Sequence, residues 1–233
     1  MPALFRRREV WLPTVWGALL LLAITAALVV GFGLSVGTLL APNAPAAGAR
    51  TLVVEGWLDM AELRQAVATA RNGRYERVLT TGGPIDPLMD AGDWKNYALR
   101  AAALLRANGL AGVPVIAVPA PASAQDRSFL SAVMVREWAQ QNDPKLAAID
   151  LYSAGSHARR SWLVYRMALG RAVDVGVLAA RPSGYDPQRW WATSAGARTV
   201  FAELLGLAAT QCCFWPGPPG SYEERWAIPV NPK

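Results

Sequence analysis

One histidine, His157, and two cysteines, adjacent at Cys212 and Cys213, are the whole supply of those residue types in 233 residues. A structural zinc site needs spaced Cys and His ligands, and no C-x-x-C pair or His cluster is present, so no metal is suggested, and the sequence identifies no cofactor. Neighbouring cysteines bridge each other only with strain. The pair therefore reads as two buried small apolar residues rather than a staple. The G-x-G-x-x-G fingerprint is missing, which removes support for a nicotinamide or flavin dinucleotide. The G-x-S-x-G nucleophile elbow is missing too. The net charge is +6, but Met1 to Arg50 carries four arginines and one glutamate, half of that excess. The rest is spread along the chain without a basic run, so nucleic acid is not an implied partner.

The longest absence is of charge. From Val10 to Ala49 there is no ionisable side chain, and Val15 to Leu40 is almost wholly apolar, longer than the roughly 20 residues that cross a bilayer. The stretch 11–40 reads as one transmembrane helix with Trp11 and Trp16 as interfacial anchors. Arg6, Arg7 and Arg8 precede it and the next basic residue is Arg50, so the positive-inside bias puts the N-terminal ten residues in the cytoplasm and the remainder outside. The rival is a cleaved signal peptide, with Ala46-Ala47-Gly48-Ala49 as the processing site. Gly33 and Gly37 have G-x-x-x-G spacing, a weak motif among so many small residues.

What is present after the span is an alternation. Residues 41–49 (APNAPAAGA) have a linker's composition, and 50–210 reads as one domain. Apolar strands are expected at Arg50–Val54, Arg77–Thr81, Pro114–Val118, Ala147–Tyr152 and Val173–Ala179. Amphipathic helices lie between them. The first opens on the capping box Asp59-x-x-Glu62 and stops at Asn72-Gly73. The second is capped by Asp93, and the third starts at Asp126 with Leu130, Val133, Met134 and Trp138 on one face. A last helix from Ser194 to Ala208 places Val200, Phe201, Leu204, Leu205 and Ala208 inward. The tail 211–233, rich in Pro and Gly, reads as surface wrapping or partial disorder. This is an α/β domain with a Rossmann-like parallel sheet of about five strands and helices on both faces. In that order the first and fourth strands are neighbours, and the crevice at their carboxyl ends is the ligand mouth.

The mouth collects Glu55-Gly56, Thr80-Thr81-Gly82-Gly83 and the stretch Leu151–Arg160, LYSAGSHARR. There a strand turns into a helix, with Ser156 expected as its N-cap. Arg159 and Arg160 fall in the first turn, where the helix dipole disfavours cations. Either a bound anion or pairing with acidic side chains of the domain, Glu55 or Asp126, relieves that conflict. His157 is a candidate general acid or base against the plainer role of a structural hydrogen-bonder. Arg159, Arg160 and the Ser156 hydroxyl would form an anion cradle. Ser153 and Ser156 are conceivable nucleophiles, and Glu55 positions a water or sugar hydroxyl or else makes a salt bridge. Trp190 and Trp191 stack on a sugar, dip toward a bilayer, or pack in the core.

The strand with Thr80-Thr81-Gly82-Gly83, then Asp126-Arg127-Ser128, then Ser153-Ala154-Gly155-Ser156-His157-Ala158-Arg159-Arg160, resembles the YdcF-like family of SanA/ElyC-type envelope proteins, a domain of unknown function. The similarity runs from Thr51 to about Leu207, and Glu203 matches a late glutamate of the family. Members commonly have Ser-Gly-Gly where this chain has Thr81-Gly82-Gly83, and an Asn-Thr pair before the following helix where it has Asp126-Arg127-Ser128. The resemblance implies a Rossmann-like domain, often membrane-anchored, tied to envelope polysaccharide or lipid-carrier metabolism. The expectation is a single-span protein of the inner membrane with an extracytoplasmic domain. It binds, and hydrolyses or transfers at, a phosphate-bearing ligand of polyprenyl-carrier or nucleotide-sugar type, with Glu55, Gly56, Thr81, Gly82, Gly83, Asp126, Ser153, Ser156, Arg159 and Arg160 as contacts. The contrasting expectation is a non-catalytic binding or scaffold protein with an envelope-assembly partner.

Overall fold

The computed structural model describes residues 11–72, 75–85, 94–110, 112–123 and 126–225. Two compact units divide the chain between Val36 and Gly37. The first is the body of helix α1 (Val15–Leu40), 26 residues long, or about 39 Å at 1.5 Å per residue. It has no charged residue and no polar face. It is the one helix among the described residues that is long and apolar enough to cross a membrane.

The second unit is an α/β domain. Its strands are β1 (Asn43–Ala44), β2 (Thr51–Glu55), β3 (Arg77–Gly82), β4 (Val115–Pro119), β5 (Ala148–Ala154) and β6 (Asp174–Ala180), in the order β1-β6-β5-β2-β3-β4. All neighbours are parallel except the antiparallel β1–β6 pair. After β4 the chain returns across the sheet to lay β5 beside β2, so the strand order reverses at the β2–β5 boundary. Open α/β sheets bind ligands at such a point.

The period of two along each strand sorts the core. Leu52 and Val54 of β2, with Val78 of β3, face α2 (Met60–Arg71) and α3 (Tyr97–Ala107). Val53, Leu79, Ile149 and Leu151 face α4 (Arg127–Asn142) and α5 (Ala158–Leu169), against Phe129, Val133, Val164 and Tyr165. Each such side chain contributes on the order of 1.5–3 kcal/mol by leaving water. This is why strands buried on both faces are apolar throughout.

The capping box forms as its spacing predicts: Glu62 N donates to Asp59 Oδ1 at 2.8 Å and Asp59 N to Glu62 Oε2 at 3.1 Å. Other local expectations change. Helix α3 is capped by Asn96, whose Oδ1 accepts from Leu99 N at 2.8 Å; Asp93 and Gly73 lie outside the described residues, as do Arg6, Arg7 and Arg8. Residues 41–49 are no free linker. Asn43–Ala44 form the sheet edge, and Ala46 N donates to the buried Asp150 Oδ1 at 2.7 Å.

Helix α6 (Ser194–Cys213) runs 20 residues, past the expected end at Ala208. Its inward stripe is Gly196, Val200, Glu203 and Leu207, whereas Phe201 and Leu205 are 57% and 71% exposed. The helix is apolar nearly all round, so its seat is chosen by Glu203 and by Gly206, where a Cβ would come 3.1 Å from Arg160 Nε. Cys212 and Cys213 are bridged to each other and exposed at the helix end, not buried thiols. The tail is held as far as helix α7 (Tyr222–Arg225): Phe214 packs edge-on to Phe129 at 5.2 Å, and the buried Glu224 takes a two-pronged bond from Arg136 at 2.6 and 2.7 Å.

Candidate functional site

The ends of β2 and β3 and four helices, α3 to α6, line a cavity of about 740 Å³ at the carboxyl end of the sheet. Gly56 and Gly82 allow the approach. A Cβ on Gly56 would lie 2.4 Å from Tyr97 O and 2.5 Å from Thr81 O, and one on Gly82, whose φ is +143°, would lie 2.7 Å from Tyr97 Cβ. No side chain fits at either place without moving the backbone. Gly83 follows with the wall of the cavity in front of it.

His157 closes a three-residue 3-10 turn (Gly155–His157) that joins β5 to α5. That extra turn moves the start of α5 to Ala158, so His157 occupies the capping position and Ser156 does not cap. The Ser156 hydroxyl instead bonds the Tyr185 hydroxyl at 2.6 Å. Tyr185 lines a separate cavity with Arg181 and Asp186. Ser156 is thereby placed away from the mouth.

The two arginines part company. Arg159 Nε donates to the Leu39 carbonyl, outside the mouth. Arg160, one position further round the helix and three from His157, turns inward and holds Glu203 of α6 with two prongs, Nε to Oε2 at 2.8 Å and Nη2 to Oε1 at 3.2 Å. The dipole conflict is thus met by a carboxylate, but Glu203 rather than the anticipated Glu55 or Asp126.

His157 Nδ1 lies 2.9 Å from the same Oε1. Burial alone would raise the Glu203 carboxyl; hydrogen bonds and charge from His157 and Arg160 outweigh it and hold the group down to about 2. An ionised carboxylate only accepts, so Nδ1 carries the proton. The 3.0 Å approach of Arg160 Nη2 to Nδ1 is two donors converging on one oxygen. In the neutral imidazole this leaves Nε2 as the acceptor, 3.3 Å from the Ser128 hydroxyl at the start of α4. The Trp57 ring stands edge-on to the imidazole at 4.9 Å.

Glu55 is buried at the β2 end and accepts from Ser153 Oγ and, at 2.8 Å, from Ser161 Oγ. The predicted neighbours Glu55 and Ser153 do meet, and Ser153 is spent on that bond. Thr81 bonds the Tyr165 hydroxyl at 3.2 Å and Thr80 donates to Ala98 O at 2.8 Å, so both serve the strand end. Asp126 borders the cavity in a left-handed conformation, φ 52°, and makes no side-chain cap on α4. Desolvation raises its carboxyl against the pull of Arg160. Trp190 is buried and Trp191 exposed; neither lines the mouth.

The structure therefore brings Glu55, Gly56, Thr81, Gly82, Gly83, Asp126, Ser153, His157 and Arg160 to one end of the sheet, and leaves Ser156 and Arg159 aside. Trp57 escaped the sequence reading, although a tryptophan two residues beyond the strand-end Glu55 was a visible signal. The Ser128 hydroxyl was seen only as part of a motif, because its partner lies 29 residues away.

The fold and mouth define an α/β domain with a Rossmann-like sheet behind an apolar N-terminal helix. Comparison of the chain with family models, with curated proteins and with solved structures returns no match.

Proposed function

We propose that this is a membrane-anchored envelope protein of the YdcF-like kind, and that its mouth is a reaction site for hydrolysis or transfer at a phosphate-bearing ligand. The observation that carries the reading is His157 held between the ionised Glu203 and the cavity, with Nε2 turned inward as a base. A positioned imidazole of this type contributes about 10²- to 10⁴-fold to a rate. Support for a phosphate comes from Arg127 and Arg160 in the cavity wall, since planar guanidinium groups match phosphate oxygens. The glycine backbone opposite lets a ligand approach.

In this reading α1 crosses the inner membrane with the N-terminus in the cytoplasm, and the domain stands outside. The exposed Cys212–Cys213 bridge is in keeping with an oxidising compartment. The ligand is a polyprenyl phosphate or diphosphate, or a nucleotide-sugar fragment.

The test is phosphate or nucleotide release by the full chain in lipid nanodiscs from a panel of those three ligands. His157→Ala is expected to lower turnover of the active one about 100-fold while binding persists. Turnover unchanged by that substitution, or none from any of the panel, overturns the reading.

A further inference from the structure

We infer that Ser128 is the nucleophile of this site and that the chain works through a covalent seryl intermediate, with Ser128, His157 and Glu203 acting as one relay. The inference rests on the reading of the cavity as a reaction site and adds the attacking atom, in place of a water. Three observations converge on it. Glu203 is ionised and gripped by Arg160 at both oxygens, and its Oε1 also holds the imidazole with the proton on Nδ1. Nε2 then points at a hydroxyl at 3.3 Å rather than at open solvent. That hydroxyl borders the cavity with Gly82, Gly83 and Arg127, and it sits in the first turn of a 16-residue helix, where the dipole favours charge developing on an attacking oxygen. Nucleophile, base and orienting acid in hydrogen-bond sequence are the geometry by which serine is activated. Three other serines near the strand ends are committed elsewhere: Ser153 and Ser161 donate to Glu55, and Ser156 is paired with Tyr185. Ser123 and Ser131 also border the cavity, but the hydroxyl facing Nε2 is that of Ser128.

In the step, Ser128 Oγ attacks phosphorus and its proton passes to His157 Nε2. The bond from phosphorus to the leaving oxygen breaks, and that oxygen takes the proton from Nε2. Water then attacks the phosphoserine and gives its proton to Nε2; the P–Oγ bond breaks, Oγ takes that proton back, and phosphate leaves. An acceptor hydroxyl in place of water gives transfer.

A fluorophosphonate probe reads the first half alone: the Oγ–P bond forms, the P–F bond breaks, and fluoride leaves as Nε2 takes the proton. The full chain in nanodiscs is expected to gain one adduct, mapped by peptide mass spectrometry to Ser128. The adduct is expected to be lost in Ser128→Ala and to form about 100-fold more slowly in His157→Ala. A second variant guards against misfolding. In Ser128→Cys the new thiol is the one free sulfhydryl beside the bridged pair, and its alkylation by iodoacetamide at neutral pH is expected to slow at least about tenfold when His157→Ala is added. Phosphate turnover with no adduct at Ser128, or with an adduct that persists in Ser128→Ala, overturns the inference and leaves the proposed function standing. An adduct at Ser128 without turnover of any phosphorylated ligand upholds the nucleophile and retires the phosphate substrate.

Discussion

Glu203 is the residue on which the site's electrostatics turn. Its carboxyl is held at about 2 against an ordinary value of 4.5, a lowering caused by hydrogen bonds and charge from His157 and Arg160 acting against burial. A carboxylate depressed in the folded state stabilises the protein above its unfolded value, and that stability is lost as pH falls through the folded value. The contribution is therefore complete above about pH 4.5 and gone near pH 2, and is worth about 3 kcal/mol at neutral pH. Its side chain is only 16% exposed, so water screens little of this. Glu203→Gln is expected to lose that amount in urea unfolding at neutral pH and to approach the wild type as the buffer is acidified. A difference independent of pH would refute the assignment.

Arg159 and Arg160 read together in the sequence, but only Arg160, three positions from His157, shares its face. The carboxylate that His157 and Arg160 hold was not legible from spacing, since Glu203 arrives on a helix 43 residues later. Ser156 was misplaced because nothing in Gly155-Ser156-His157 distinguishes a helix start from a 3-10 turn preceding it.

Strands β2 to β6 form where their apolar runs placed them, since burial on both faces leaves little else for such segments. They lie parallel with the first and fourth expected strands adjacent, as the Rossmann-like order required. The capping box of α2 was equally plain. Helix α6 was not. With apolar residues on every side its periodicity names no face, and an ion cluster chose the seat. The tail reads in the sequence as surface wrapping or partial disorder; as far as Arg225 it wraps the domain, and one carboxylate that its composition did not single out fastens it. Glu224 is 2% exposed and Arg136 14%, so removing one partner strands the other charge at a cost of about 3–5 kcal/mol. Glu224→Ala is expected to lower stability by that much in chemical denaturation. A change under about 0.5 kcal/mol, the usual result at an exposed position, would mean that the tail is not docked.

On the interior strand β5, Asp150 Oδ2 accepts from Tyr75 at 2.6 Å, while Oδ1 holds the backbone of Ala46 just after the edge strand β1. Tyr75→Phe is expected to cost about 1.5–3 kcal/mol, the range for a hydrogen bond to a charged group. Hydrogen exchange at Ala46 tests whether the edge loosens with it.

In the whole molecule an apolar helix precedes a sheet domain whose carboxyl-end cavity carries the one histidine in 233 residues. The topology has its own test: a reporter fused after Lys233 that is active only outside the cytoplasm is expected to work, and activity of a cytoplasm-only reporter there would reverse the orientation. The single histidine also makes the central claim open to direct observation. With 15N-labelled histidine, the whole chain gives one imidazole in the NMR spectrum, free of overlap. The account predicts a protonated Nδ1 coupled to Glu203, and an Nε2 whose resonance moves when Ser128→Ala removes the facing hydroxyl. A proton on Nε2 with Nδ1 bare, indifferent to Ser128→Ala and Glu203→Gln, would contradict it.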